Sequence, residues 1–281
     1  MSSAPRLSRT LTRTPLARAF ERDARKSRGG RRKVVAPERF DRSAYPTDAL
    51  QIAAAAQRSL AAGEFMAVDV FAKLAASLTL AGAPIDVVAA AARVQVDEIR
   101  HTDLALRMAS AMAGEPVSFP VPKGRYEELG GAIDLRKLDA AMTEIPAIGE
   151  TLACALLAAS RDLAKDPTVR ALFAALLEDE VHHARLGWYW LSWRAPEWTV
   201  SDRQSVADHA GAFIAEIEPM FQRGRDAPKG LEKAARALGV LDTKAQRAAV
   251  LRAMEEEIVP GLDGLGLGAS HAWKARRRTW D

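Results

Sequence analysis

From Pro46 onward the apolar residues recur at spacings of three and four, the rhythm of helices that bury one face. Thr47 reads as an N-cap, and the pattern continues from residue 48 to about 81, where Gly82 and Pro84 end it. A second long helix is predicted over 86–113, closed by Gly114 and Pro116. A connection of roughly twenty residues follows, and Pro120, Pro122, Gly124, Gly130 and Gly131 make it poor helix material. The third helix is expected over about 135–165, bent by Pro146. Asp166 and Pro167 mark a tight turn, and the fourth helix extends to about 193. Two shorter helices, near 201–222 and 243–259, are expected to pack outside as an extension. No segment alternates as a strand does. Long helices joined short, long, short describe two antiparallel hairpins linked by one crossover, distinct from a simple up-down bundle. The expected fold class is therefore all-α. It comprises an arm over 1–45, a four-helix bundle over 46–198 and a helical extension with a basic tail over 199–281.

Composition agrees with that pattern. Hydrophobic residues make up 48% and aromatics only 6%, which favours helix over sheet. No apolar run reaches the roughly 20 residues that span a bilayer, and no apolar segment follows the N-terminal arginines to form a signal peptide. The single cysteine, Cys154, excludes an intrachain disulfide, so a cytoplasmic location is the simplest reading. The net charge of +4 is unevenly spread: through Lys33 eleven Lys and Arg face only Glu21 and Asp23, about +9, which leaves about −5 for the remainder. This basic segment reads either as a solvated tail or as an arm for nucleic acid, anionic lipid or an acidic partner, and the solvated tail is the commoner case.

The chemistry-bearing residues fall inside the bundle. Helix two carries Asp97-Glu98-Ile99-Arg100-His101 and helix four carries Asp179-Glu180-Val181-His182-His183. Each is Asp-Glu-x-x-His, and a Glu and a His three apart share one helical face, where both can reach one ion. Glu64 lies on an apolar stripe with Leu60, Val68 and Phe71, and Glu150 lies between Ala147 and Cys154. A carboxylate on such a stripe is costly to bury unless it is paired or binds metal. Glu64 precedes the first turn by 19 residues and Glu98 follows it by 15, while Glu150 and Glu180 flank the second by 16 and 14. At about 1.5 Å per residue, each hairpin brings its two glutamates to similar heights. The halves then repeat one arrangement, Gly63-Glu64 with Glu98 and His101, and Gly149-Glu150 with Glu180 and His183.

With these motifs the chain resembles, over about 47–193, the ferritin-like di-iron carboxylate superfamily. That superfamily includes bacterioferritins, rubrerythrins, ribonucleotide reductase small subunits, acyl desaturases and bacterial multicomponent monooxygenases. The resemblance implies a ferritin-like four-helix bundle in which Glu64, Glu98, His101, Glu150, Glu180 and His183 supply the metal ligands. It further implies that Asp97 and Asp179 accept the free ring N–H of the ligand histidines across the bundle; the alternative is that both face water. Carboxylates with two imidazoles suit Fe(II) or Mn(II), so two iron ions are expected, with Mn/Fe and Mn/Mn as alternatives. The competing structural reading is a metal-free bundle with buried Glu–Arg and Glu–His pairs.

Departures from the named families narrow the chemistry. Position 105 is Ala where radical-generating reductase subunits carry Tyr, and one cysteine cannot build a rubredoxin module. Position 176 is Leu where arylamine N-oxygenases carry an extra His. The chain is also longer than a ferritin cage subunit. The leading expectation is an O2-dependent oxidase or oxygenase acting on an organic substrate, with a separate electron donor. The alternatives are a ferroxidase, a rubrerythrin-like peroxidase or a manganese catalase-like protein, and, in a third class, a structural metal site with the basic arm as the working part. A homodimer is left open. Several residues are expected to stay outside the site: His182 on the surface, His209 and His271 without ligand-like neighbours, Trp188, Trp190, Trp193 and Trp198 as an aromatic cluster, and Cys154 as filler. Gly63 and Gly149 either leave room for substrate or let helices approach.

Overall fold

The structure, a computed structural model, describes residues 35–121, 134–221 and 226–280. The basic segment through Lys33 and most of the expected crossover lie outside the described residues. Among the described residues the chain is helical and has no strand. The long helices are α1 (Thr47–Leu80), α2 (Ile85–Ala113), α3 (Leu135–Leu163) and α4 (Pro167–Arg194).

Short turns fold α1 onto α2 and α3 onto α4, and the two hairpins meet mainly along α2 and α4. The turn chemistry explains these joints. Gly82 adopts φ +66° after α1, and Pro84 precedes α2. The Asp166 carboxylate accepts from the N–H groups of Thr168 (2.9 Å) and Val169 (3.0 Å), which caps α4 with Pro167 in its first turn. Pro46, and not Thr47, stands at the N-cap of α1, where no side chain caps. The far end of α2 is closed by Arg42, whose guanidinium donates to the carbonyls of Met112 (3.1 Å) and Ala113 (2.9 Å) beside Gly114 at φ +80°. Residues 35–45, assigned to the arm from the sequence, thus pack on the bundle, with Val35 and Phe40 buried.

Pro146 acts as expected but in a particular way. It lies in a π-helical segment, Thr143–Gly149, that widens α3 before the helix resumes at Glu150. The widened backbone presses on α4 at Gly187, where a methyl group would overlap Pro146 and Ala147. By length and composition α3 could cross a bilayer, but two thirds of its most apolar stretch is buried inside the fold.

The C-terminal extension is more divided than the two helices expected. It contains α5 (Val200–Ala215), α6 (Ile217–Met220), α7 (Glu232–Ala237), α8 (Thr243–Ala253 continuing through Met254–Ile258 to Val259–Gly264) and α9 (Ala269–Ala275). Glu216 breaks the first predicted helix, and α7 and α9 have too few turns to leave a periodic signal. Asp139 ties α3 to the end of α4: Trp190 Nε1 (2.8 Å), Trp198 Nε1 (2.7 Å) and the Arg194 guanidinium (3.2 Å) all donate to its buried carboxylate. Trp190 and Trp198 are therefore joined through Asp139, Trp188 donates separately to Thr151 Oγ1 (3.0 Å), and the Trp190 and Trp193 rings lie 5.3 Å apart.

The apolar core is split in two. One part gathers Phe71, Leu74, Ile148, Leu186 and Trp190 with the extension's Ile258 and Leu262; the other gathers Phe40, Leu50, Met108, Leu172 and Phe173 with Leu238. On α1, α2 and α4 the change from one part to the other falls at Glu64, at Glu98 to His101 and at Glu180 to His183. A polar layer therefore crosses the bundle between two hydrophobic halves.

Two glycines test this packing. Gly187→Ala should cost about 1–3 kcal/mol because backbone has to move. Gly63→Ala meets open space in a helix interior and should be neutral or stabilise by about 0.5–1 kcal/mol. Denaturation of the metal-free variants checks both, and equal effects at the two positions would contradict the packing described.

Candidate metal centre

Helical spacing places Glu98 and His101 on one face of α2, and Glu180 and His183 on the facing side of α4. Ligand atoms of these four buried residues lie within 4.8 Å of one another. His101 directs Nδ1 at Glu180 Oε1 (3.0 Å) and Glu98 Oε2 (3.5 Å). His183 directs Nδ1 at Glu98 Oε1 (3.0 Å) and Glu180 Oε2 (3.1 Å). Each glutamate thus faces both imidazoles, and the ring centroids stand 5.5 Å apart.

The other two glutamates stand at the edges of this group. Glu64 Oε2 is 3.7 Å from His101 Nδ1, and Glu150 is hydrogen-bonded to Glu180. The two aspartates stand on the side of the outward ring nitrogens, and His101 Nε2 is the one within hydrogen-bond reach. Asp179 Oδ2 lies 3.3 Å from His101 Nε2, and Asp97 Oδ2 lies 3.9 Å from His183 Nε2. Each pairing crosses between α2 and α4. Neither aspartate is left to water alone: Arg93 holds Asp97 at 2.9 Å, and Arg100 pairs with Asp179.

Charge explains how six titratable groups share one largely buried layer. Burial, with the Glu98 charge adding to it, pushes the Glu64 carboxyl well above its ordinary value. Burial and the Glu180 and Glu98 charges do the same to Glu150. Burial would also raise Glu98 and Glu180, but the two imidazoles outweigh it and hold both below the usual range. For the histidines burial disfavours the cation, yet the carboxylates around them prevail and raise both well above normal. Burial opposes ionisation of Asp97 and Asp179 too, and their histidine and arginine partners lower both. Without metal these directions favour protons on His101, His183, Glu64 and Glu150 and carboxylates at Glu98 and Glu180.

That donor set can hold cations. Both Glu98 oxygens and His101 Nδ1 are buried without a well-formed hydrogen bond, although opposite charge surrounds them. Carboxylate oxygens and imidazole nitrogens brought this close together can serve as ligands to a metal ion. The contact of His101 Nε2 with Asp179 matches the usual support of a metal-bound histidine, while His183 Nε2 faces Asp97 at a longer 3.9 Å.

The residues set aside from the sequence divide. His182 is half-buried outside the group, and His271 is exposed. Cys154 stays a thiol: burial, then the Glu180 and Glu150 charges, push it up to about 12. His209 departs from expectation, because its Nε2 lies 2.9 Å from Glu144 Oε2 on the π-helical segment. Arg93 and Arg100 were not anticipated, although the spacing of Arg93 to Asp97, four residues on one helix, is a readable signal. Comparison with family models, with curated proteins and with solved structures gives no match.

The protonation pattern yields a test. If divalent ions compete with those protons, loading should release protons, and affinity should tighten as pH rises because protons and metal share the same atoms. Calorimetric titration with Mn(II) in buffers of different ionisation enthalpy reads the count. Heats that do not depend on buffer would contradict the account.

Proposed function

We propose that the chain is a ferritin-like dimetal carboxylate enzyme, with two iron ions as its cofactor, that uses O2 to oxidise an organic substrate. The observation that carries this reading is a cavity of about 700 Å³ beside the Glu/His layer, with Glu64 and Glu150 in its wall. Most of its other lining is apolar, including Leu60, Val70, Leu156 and Phe173. A ferroxidase or peroxide-handling site has no need of such a space beside its ligands, which favours the oxidase over those alternatives.

In this reading Glu64, Glu98, His101, Glu150, Glu180 and His183 would hold the two ions, with Glu98 and Glu180 each facing both imidazoles. Two iron ions so held would supply the electrons and Lewis acidity that activate O2. The protein's residues set the conditions for that chemistry. Asp179 fixes the ring orientation of His101 and keeps its Nε2 protonated, leaving Nδ1 for metal, and Asp97 faces His183 Nε2 from farther away. Glu64 and Glu150 present carboxyl oxygens at the cavity wall, where each can hold or yield a proton. The apolar lining excludes water from the reacting carbon. For a hydroxylation, RH, O2, two electrons and two protons give ROH and H2O, so a separate reductase has to deliver the two electrons.

The test is O2 uptake by the Fe(II)-loaded protein supplied with a chemical reductant, alongside Glu180→Ala. The wild type should consume O2 repeatedly, and the variant should fall by at least about a hundredfold, the usual scale for loss of an essential group. Uptake that stops once the iron is oxidised, even with reductant present, would favour metal storage instead. No uptake at all would sink both.

A further inference from the structure

Along with Glu64 and Glu150, the polar side chains of Gln57, Ser59, Ser160 and Gln246 line the cavity beside the Glu/His layer, and of these four Gln57 holds a buried, unpartnered oxygen. Gln57 sits on α1 seven residues before Glu64, two turns away on the same face. It is only 3% exposed, and its Oε1 is buried without a hydrogen-bond partner. Among the described residues it is the one such group that lines this cavity. A buried carbonyl left unpaired costs roughly 1–3 kcal/mol, so its position calls for a donor from a ligand.

The rest of the lining restricts that ligand further. Among the described residues no Lys, Arg or His lines the cavity, so nothing there would neutralise an anionic head group. An anion placed there would lose its hydration with no cation to pair it, which is costly in a largely apolar chamber. The extension supplies part of the wall through Phe221, Leu238, Val240 and Leu241. Its attachment is specific: Lys165 N–H donates to Ala237 O (2.8 Å), and Gly239 at φ +75° sits where a methyl group would overlap the Phe173 ring. The extension therefore completes a largely apolar chamber on the bundle, with the unpartnered Gln57 Oε1 in its wall.

We propose that this chamber binds a neutral, largely apolar molecule carrying one hydroxyl or amide N–H, which donates to Gln57 Oε1. Seven residues of helix separate Gln57 from Glu64, about 10 Å, so the donor is held that far from the atom presented to the metals. Gln57 is thus a specificity-determining residue: it selects alcohols or amides over acids and sets which carbon lies at the Glu64 end. The inference deepens the oxidase reading and rests on it for the fate of the ligand, but the binding itself needs no metal.

The test uses the full-length metal-free protein with n-decanol and n-decanoic acid as probes, followed by calorimetry and by thermal shift. The wild type should bind the alcohol at least about tenfold more tightly than the acid, and Gln57→Leu should weaken the alcohol by about tenfold, the loss of one buried hydrogen bond. The variant should melt no lower than the wild type, because it removes an unpaired polar group; a purely structural glutamine would give a lower melting point. Acid binding as tight as alcohol binding in the wild type overturns the proposal without any variant. So does an unchanged alcohol affinity in Gln57→Leu, or no binding of the alcohol. Alcohol binding without O2 uptake by the iron-loaded protein would leave this site standing and remove the oxidase reading, whereas O2 uptake without alcohol binding would do the reverse.

Discussion

The structure depends on one electrostatic constraint: four carboxyl groups and two imidazoles meet in one largely buried layer. No single member could be buried there alone, because an isolated charge in a dry core is prohibitively costly. Together they are tolerable only if positive charge is shared among them. Without metal the surroundings favour protonated imidazoles at His101 and His183 and protonated, neutral carboxyls at Glu64 and Glu150. The same arrangement makes the layer receptive to divalent cations, which can replace those protons while leaving the backbone in place. Arg93 and Arg100 hold Asp97 and Asp179 on the side of the outward nitrogens, so the His101 imidazole is aimed before any ion arrives.

Other features follow from the need to hold that layer. The apolar core is divided around it, so each half can pack densely while the polar groups remain together. The π-helical segment at Pro146 lets α3 reach Glu150 with its backbone pressed on Gly187 of α4. A π-turn beside a functional group is a recurrent device, because one extra residue re-aims the side chains after it. The buried Asp139, satisfied by two tryptophans and Arg194, anchors the opposite end of the same helix pair. The extension then closes the chamber on the side of Glu64 and Glu150.

Much of this was legible in the sequence because it is local. Helix limits fell within a few residues, since Gly82, Pro84, Gly114, Asp166 and Pro167 carry their own turn preferences. The two Glu-x-x-His spacings and the counts from each turn were enough to predict that Glu98, His101, Glu180 and His183 converge. What escaped is long-range. Nothing near His209 in sequence points to Glu144, 65 residues away, and nothing near Asp139 points to Trp190 or Trp198. Gln57 reads as one polar residue among alanines until the chamber around it is seen. The extension was under-divided because α7 and α9 are too short to show a period.

The central claim is that the Glu/His layer is a two-ion site and more than a self-neutralising polar cluster. Metal content measured after reconstitution with Fe(II) without oxygen, and removal of loose ions, tests it most directly. The account predicts two ions per chain in the wild type and loss of both in Glu98→Ala and in Glu180→Ala, with helix content retained. Equal metal content in the wild type and both variants would contradict it.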